Sequence, residues 1–223
     1  MRVAALFSGG KDSVFSIYIA QQYGWDVPNL ITLLPDKPDS WMFHAINIHL
    51  TSLLAKAIGI PLLEKTTKAE KETELLDLKQ VLRNCEIDGV ISGAIASEYQ
   101  RTRIEKICDE LGLKSFTPLW HKNQEILLRD QVRAGFHIII VGVSAQGFDE
   151  TWLGKIINTD AIDALLRLHK QYGINIAGEG GEYETLVING PLFSKKLVIG
   201  GSVKIWNRDS GELQVKNAHL ENV

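Results

Sequence analysis

An α/β fold built on a doubly wound parallel sheet, followed by a smaller C-terminal α+β unit, is what three features of this 223-residue sequence predict. Short apolar runs alternate with amphipathic spacers long enough for crossover helices. A Gly-Gly turn directly follows the first run, and after Gly142 the rhythm changes to closely spaced β segments. The chain is accordingly divided into residues 1–142 and 143–223, two unequal units being an ordinary outcome at this length.

Residues 3–7, 30–34, 61–63, 89–91 and 137–141 are apolar runs of strand length and read as strands buried on both faces. A strand is expected just before Pro118 as well. Residues 43–58 put Ile46, Leu50, Leu53, Leu54, Ala57 and Ile58 on one helical face, and residues 97–111 do the same with Ile104, Ile107, Cys108 and Leu111. Gly24, Gly59, Gly112 and Gly135 stand where such helices should stop, in the left-handed conformation glycine tolerates. Parallel neighbours need crossovers of this kind, nearly always right-handed, so the first 142 residues are assigned to one doubly wound sheet. Beyond Gly142, a helix from about Asp160 to Tyr172 carries Ile162, Leu165, Leu166 and His169 on one face. Hairpin-type turns are expected at Asn189-Gly190 and Asp209-Ser210-Gly211. No repeat or low-complexity linker separates the two units, so they are expected to pack closely.

With 45% hydrophobic and 23% charged residues the chain can bury a core. Its 24 Lys and Arg against 27 Asp and Glu give a net charge of −3, which offers no field for an anionic polymer, and no dedicated nucleic-acid binding is expected. Cys85 and Cys108, far apart and outside any Cys-x-x-Cys spacing, exclude a disulfide framework and a four-thiolate zinc site. The apolar run before Ser8 is too short for a signal-peptide core, and no stretch reaches the roughly 18 apolar residues of a membrane span. A cytoplasmic protein without membrane contact is expected.

Ser8-Gly9-Gly10-Lys11-Asp12-Ser13 follows the first strand and opens a helix carrying Val14, Ile17 and Tyr18, which puts its N–H groups at a helix N-terminus, an anion site. The glycines let the main chain approach phosphate oxygens, Lys11 adds a positive charge, and Ser8 and Ser13 add hydroxyl donors. A carboxylate beside a phosphate cradle is repulsive unless a cation intervenes, so Asp12 is assigned as a ligand, direct or through water, of nucleotide-bound Mg2+. A Walker A loop is excluded because Ala5 and Asp12 occupy the positions where it needs Gly and Ser or Thr. The hexapeptide resembles the PP-loop of the ATP pyrophosphatase group, enzymes that cleave ATP between its α and β phosphates. That resemblance implies an adenine nucleotide alpha hydrolase-like fold, ATP as the nucleotide, adenylation of a substrate oxygen, and a loop that stabilises the departing pyrophosphate.

The fourth strand runs into Ser92-Gly93-Ala94-Ile95-Ala96-Ser97, at the side of the sheet where open α/β folds bind ligands. Gly93 would let an adenosine approach, and Arg101 and Arg103 can reach phosphate or carboxylate oxygens. The alternative is a solvated helix face with Arg101 and Glu105 paired at i,i+4. Pro118-Leu119-Trp120 either packs or presents Trp120 to a ligand.

Gly178-Glu179-Gly180-Gly181-Glu182-Tyr183-Glu184-Thr185 sets three carboxylates within six residues, and no Lys or Arg occurs between Lys170 and Lys195. The apolar run Leu186-Val187-Ile188 that follows argues for an ordered strand entry rather than a disordered loop. Ordered carboxylates without local counter-charge want a cation. The candidates are a second Mg2+, an ammonium ion, or a cationic substrate held with rings such as Tyr183, Trp120 or Trp152. His44 and His49, five apart, do not form a helical zinc pair and are read as structural. Asp149 and Glu150 either face the cleft or start a helix.

The PP-loop, Met42-Phe43-His44, Gly93-Ala94-Ile95 with Tyr99-Gln100-Arg101, Pro118-Leu119-Trp120 and the 178–185 motif stand in the order found in the diphthine-ammonia ligase family. The sequence resembles that family over nearly its whole length. The resemblance implies that ATP activates the carboxylate of diphthine, a modified histidine of elongation factor 2, and that ammonia then displaces AMP to give diphthamide. With it go the site assignments. Lys11, Asp12, Glu179, Glu182 and Glu184 are assigned as catalytic; Ser8, Gly9, Gly10, Lys11, Asp12, Ser13, Gly93 and Arg101 as ATP-binding; and Tyr99, Arg103, Trp120, Gly180, Gly181 and Tyr183 as substrate-binding. Diphthine's quaternary ammonium suits an acidic, aromatic motif. With neither an N-terminal Cys nor length for a glutaminase domain, nitrogen is expected from free ammonium. Two competing readings are another PP-loop enzyme, such as a tRNA-modifying sulfurtransferase or amidotransferase, and a nucleotide sensor that binds ATP without making AMP. The first is disfavoured by two isolated cysteines and the absence of a basic balance. The oligomeric state is left open, and a homo-oligomer is compatible with the sequence.

Overall fold

The computed structural model describes residues 1–36, 46–68 and 71–223; Met42, Phe43 and His44 lie outside the described residues. Strands β1 (Val3–Leu6), β2 (Leu30–Pro35), β3 (Leu62–Thr67), β4 (Gly89–Ile91) and β5 (Lys114–Phe116) form a parallel sheet in the order β3-β2-β1-β4-β5. Helices α1 (Lys11–Gln22), α2 (Thr51–Ile58), α3 (Lys71–Arg83) and α4 (Glu98–Leu111) supply the crossovers. Strand order reverses at β1, which pairs β2 on one side and β4 on the other. The crevice beyond the carboxyl ends of β1 and β4 is therefore the switch point at which such sheets bind ligands. Gly24, Gly59, Gly112 and Gly135 stop their helices with φ of +71°, +80°, +69° and +90°.

One face of the sheet buries Ile31, Leu33 and Val90 against Leu78 and Leu82 of α3 and Ile104, Ile107 and Cys108 of α4. Each such side chain contributes roughly 1.5–3 kcal/mol when fully buried. The other face does not end at its helices. Val14, Ile17 and Leu54 belong to a single cluster with Leu186, Val187, Leu213 and Val215 of a second sheet. The expected close packing of the two units is thus a shared core.

That second sheet comprises β6 (His137–Val143), β7 (Tyr183–Asn189), β8 (Lys195–Asn207) and β9 (Ser210–Asn222), antiparallel, in the order β7-β6-β9-β8. Helices α5 (Gln124–Arg133) and α6 (Thr159–Tyr172) flank β6 in sequence, and α6 buries Ile162 and Leu165 as its period requires. Four expectations are corrected here. The run at 137–141 is a strand, but it lies in the second sheet, because a strand central to any covered sheet is apolar on both faces and its run does not reveal its partners. Asn189-Gly190 does not close a hairpin: β7 pairs β6 and β8 pairs β9, and a Cβ on Gly190 would lie 2.5 Å from the Phe136 ring, so the glycine serves close approach. The β8–β9 turn is centred one residue earlier than expected, on Arg208-Asp209, because Asn207 pairs with Ser210. Of the helix foreseen over 43–58, the part within the described residues starts at Thr51: Asn47, at φ 66°, precedes a 3-10 turn at Ile48–Leu50.

Gly93, assigned from the sequence to the nucleotide, has a steric role as well. A Cβ there would lie 2.7 Å from Ser13 N and 2.8 Å from Asp12 C, so the missing side chain is what lets the first turn of α1 sit against the end of β4. Because those neighbours are backbone, Gly93→Ala should destabilise the fold by about 1–3 kcal/mol and weaken ATP binding together. Urea denaturation with a fluorescent ATP-analogue titration checks this; unchanged values in both would show that the junction has slack.

Candidate active site

A cavity of about 240 Å³ occupies the switch point. Ser8, Gly10, Lys11, Asp12 and Ser13 line it from the β1–α1 loop, Ser92, Gly93 and Gln100 from the β4–α4 junction, and Gly178, Glu179, Gly181, Tyr183, Glu184 and Thr185 from the C-terminal motif. Three segments far apart in sequence thus converge on one space.

Helix α1 begins at this cavity with no side-chain cap at Gly10. The Lys11 N–H donates to Thr185 Oγ1 at 3.1 Å, while among the described residues nothing accepts from the N–H groups of Asp12 and Ser13. The Ser92 hydroxyl, buried in the cavity wall, likewise lacks a partner among the described residues. Unsatisfied donors at an open helix N-terminus fit phosphate oxygens.

The Lys11 ammonium is 5% exposed. It donates to Asp12 Oδ2 at 2.6 Å and to the Ala177 carbonyl at 2.6 Å, and lies 5.5 Å from the Tyr183 ring centre. Asp12 Oδ1 accepts from Gln131 Nε2 at 3.0 Å. The cation beside Asp12 here is its own neighbour. Among the described residues no group of three or more His, Cys, Asp or Glu could hold a metal by itself. Asp12 together with phosphate oxygens nevertheless matches the usual Mg2+ pattern of one or two carboxylates plus substrate.

The motif's carboxylates, read from sequence as lacking counter-charge, are sorted by the backbone. Glu179 Oε1 accepts from the N–H groups of Ile95, Ala96 and Ser97 at 3.0, 2.8 and 3.0 Å, which ties the motif to the start of α4. Glu182 accepts from Asn175 N and Gly180 N, both at 2.9 Å, and so closes its own loop. Glu184 has no hydrogen bond or ion pair among the described residues. Burial raises its carboxyl to about 7; the Lys11 charge opposes that rise, and the charges of Asp12 and Glu179 add to it. Tyr183 is buried and donates to the Ile176 carbonyl at 2.6 Å.

Other predicted residues stand away from the cavity lining. Arg101 ion-pairs with Glu98 and Glu105, both at 3.2 Å, and lies 4.4 Å from the Trp120 ring centre, while Trp120 also stacks on His121. The surface-pair reading of Arg101 describes this geometry. Arg103 covers the Tyr99 ring at 3.4 Å and donates to the Tyr99 carbonyl. Gly9 and Gly180 support their loops without lining the cavity. Trp152 is buried against Phe148, and Asp149 Oδ1 accepts from Thr151 N, the helix-starting role. His49 is structural, its Nε2 meeting the Val215 carbonyl at 3.2 Å. Two participants had been missed. Thr185 was quoted only as the motif's end, and Gln131 was legible as a polar residue among Leu127 and Leu128 on the buried face of α5.

Fold and site together define a doubly wound α/β protein whose glycine-rich β1–α1 loop faces a carboxylate motif across one cavity. Residues 1–115 match the family model for the diphthamide synthase N-terminal domain, and residues 123–220 that for its C-terminal domain. The diphthine–ammonia ligase of Rattus norvegicus is 39% identical over 99% of this chain and 93% of its own length. That of Homo sapiens is 35% identical over the same shares. That of Schizosaccharomyces pombe is 38% identical over 96% of this chain and 38% of its own, longer length. A solved structure titled as a predicted subunit of tRNA methyltransferase from Methanocaldococcus jannaschii aligns over 86% of this chain and 98% of its own at 18% identity, with a TM-score of 0.48, too loose a likeness to bear on function. The chain belongs to the diphthine–ammonia ligase family and is a ligase. No helix among the described residues is long and apolar enough to cross a membrane.

The state of Glu184 is testable through stability. Because its folded value is raised from 4.5 to about 7, the native state holds a proton that the unfolded chain has released across that window, and stability falls as pH rises through it. Glu184→Gln should match the wild type near pH 4 and exceed it by up to about 3 kcal/mol near pH 8. Urea midpoints of both proteins across this range check the prediction; parallel curves would mean that the carboxyl titrates as in water.

Proposed function

We propose that this chain amidates the diphthine carboxylate of elongation factor 2 with ammonium, using ATP, through an acyl-adenylate, and releases AMP and pyrophosphate. The observation that carries the reading is that the open N-terminus of α1, with Lys11, faces Glu179 and Glu184 of the motif across a single cavity. Nucleotide and acceptor can therefore meet. A carboxylate oxygen of the acceptor would attack the α-phosphorus, and the bond to the β-phosphate breaks with its electron pair on pyrophosphate. That charge is received by the free Asp12 and Ser13 N–H groups and by Lys11, whose ammonium has one N–H beyond the two already used. Mg2+ bound with ATP would be held by Asp12 and phosphate oxygens and would neutralise the same charge. In the second half, the nitrogen lone pair forms a bond to the acyl carbon and the carbon–oxygen bond to AMP breaks. The two protons lost from ammonium pass to solvent.

Lys11, Asp12 and Glu184 are assigned to the chemistry, and Glu179 and Glu182 to positioning, since their oxygens already serve backbone donors. A cytoplasmic location goes with an acceptor that works in translation. Turnover should release AMP and pyrophosphate in equal amounts; ADP and phosphate as the main products would overturn the mechanism. Lys11→Ala should lower kcat by about 10²–10³-fold, the range for removing a donor from a charge-stabilising site. A coupled AMP assay reads this, and a wild-type rate would move the site elsewhere.

A further inference from the structure

A second cavity, of about 410 Å³, is set into the antiparallel sheet between β6 and the β8–β9 hairpin. Gly181 and Glu184 line both cavities, so Glu184 stands in the wall between them. Its position there depends on Gly142 of β6: a Cβ on Gly142 would lie 3.2 Å from the Glu184 Cβ and 2.3 Å from Ile46 Cδ1. The polar lining consists of Ser144, Glu184, Asn207, Ser210, Glu212 and Gln214. Glu212 Oε2 accepts weakly from Gln214 Nε2 at 3.4 Å, and among the described residues nothing donates to its other oxygen. Among the described residues the lining includes no Lys, Arg or His and no aromatic ring.

That chemistry selects among the reactants. A carboxylate or phosphate entering here would be repelled by Glu184 and Glu212, since no cationic side chain among the described residues lines this cavity and Lys11 stands on the other side of Glu184. A quaternary ammonium has no N–H to donate and is recognised by aromatic faces, which the described residues of this lining do not supply. An ammonium ion carries four N–H donors and one positive charge, and it finds here hydroxyl, amide and carboxylate acceptors in a space large enough for it and its waters. We infer that this cavity binds ammonium and delivers it past Glu184 to the nucleotide cavity, with Glu212 as the outer carboxylate that attracts it. The inference rests on the reading of the chain as an AMP-forming amide ligase, and it places the nitrogen's route on the opposite side of Glu184 from ATP.

The test uses the full chain with ATP, Mg2+ and diphthine-bearing elongation factor 2. Acceptor-dependent exchange of labelled pyrophosphate into ATP reports adenylation without ammonium, and amide formation against ammonium chloride reports the second half. Glu212→Gln should raise the KM for ammonium at least tenfold while exchange, and kcat at saturating ammonium, stay within twofold. With hydroxylamine at pH 8, a mostly uncharged nucleophile, its KM should shift less than twofold, because only a cation loses an attractive charge. Ser210→Trp, which fills the cavity, should raise the KM for both nucleophiles and spare exchange. A KM for ammonium within twofold of wild type in either variant overturns the route, as does an equal shift for both nucleophiles in Glu212→Gln. Absence of exchange in the wild type defeats the acyl-adenylate reading on which the inference rests, a result distinct from either. Both substitutions lie near the start of β9, but one removes a charge and the other fills space, so Ser210→Trp still decides the matter if Glu212→Gln does not fold, and the converse.

Discussion

The Lys11 ammonium, enclosed at the meeting of the two sheets, is the constraint on which the site depends. A buried cation without partners is costly by several kcal/mol, so the groups that satisfy it cannot drift. Asp12 supplies charge from the same helix turn, and the Ala177 carbonyl supplies a dipole from the far unit. Around that bond the neighbouring contacts line up: Lys11 N–H to Thr185 Oγ1, Val187 N–H to the Gly9 carbonyl, and Gln131 to Asp12. Helix α1 is thereby fixed between both sheets, and the free N–H donors of its first turn are pre-positioned rather than recruited.

The three glutamates of the motif show how one residue type takes different states within six positions. Glu179 and Glu182 are charged acceptors for backbone donors, a strong arrangement that removes their need for a cation. Glu184 receives no such bond, is desolvated, and feels both Lys11 and Asp12. Its neighbour Tyr183 projects to the buried Ile176 carbonyl, and strand alternation from that anchor puts Glu184 on the opposite face of the sheet, which it shares with its partner Gly142 of β6. The chemical distinction among the carboxylates is thus made by hydrogen-bonding backbone and strand phase.

Much of this was legible in the sequence because it is local. Helix periods, glycine stops and the strand–loop–helix placement of Ser8 to Ser13 each rest on residues within a turn or two, and the structure has them where periodicity put them. What escaped was non-local. A run such as Ile138-Ile139-Ile140 records burial but not which strands bury it, so β6 was placed in the wrong sheet. The donors that satisfy Glu179 belong to residues more than eighty positions away, which charge counting along the motif cannot register. Gly93 and Gly190 were seen as glycines, but the atoms they make room for, Ser13 N and the Phe136 ring, appear only in three dimensions.

Asn47 has a consequence of another kind. Its side-chain amide donates to the Leu213 carbonyl at 2.9 Å and accepts from Val215 N–H at 2.8 Å, and His49 meets the Val215 carbonyl. In register, β9 pairs β6 only at Gly211 and Glu212, so beyond them its outer rungs would lie open. Open rungs are templates on which a second chain can add a strand. A single amide, followed two residues later by an imidazole, occupies those rungs from within the molecule. Asn47 and His49 therefore leave fewer open rungs of β9 on which another chain could pair.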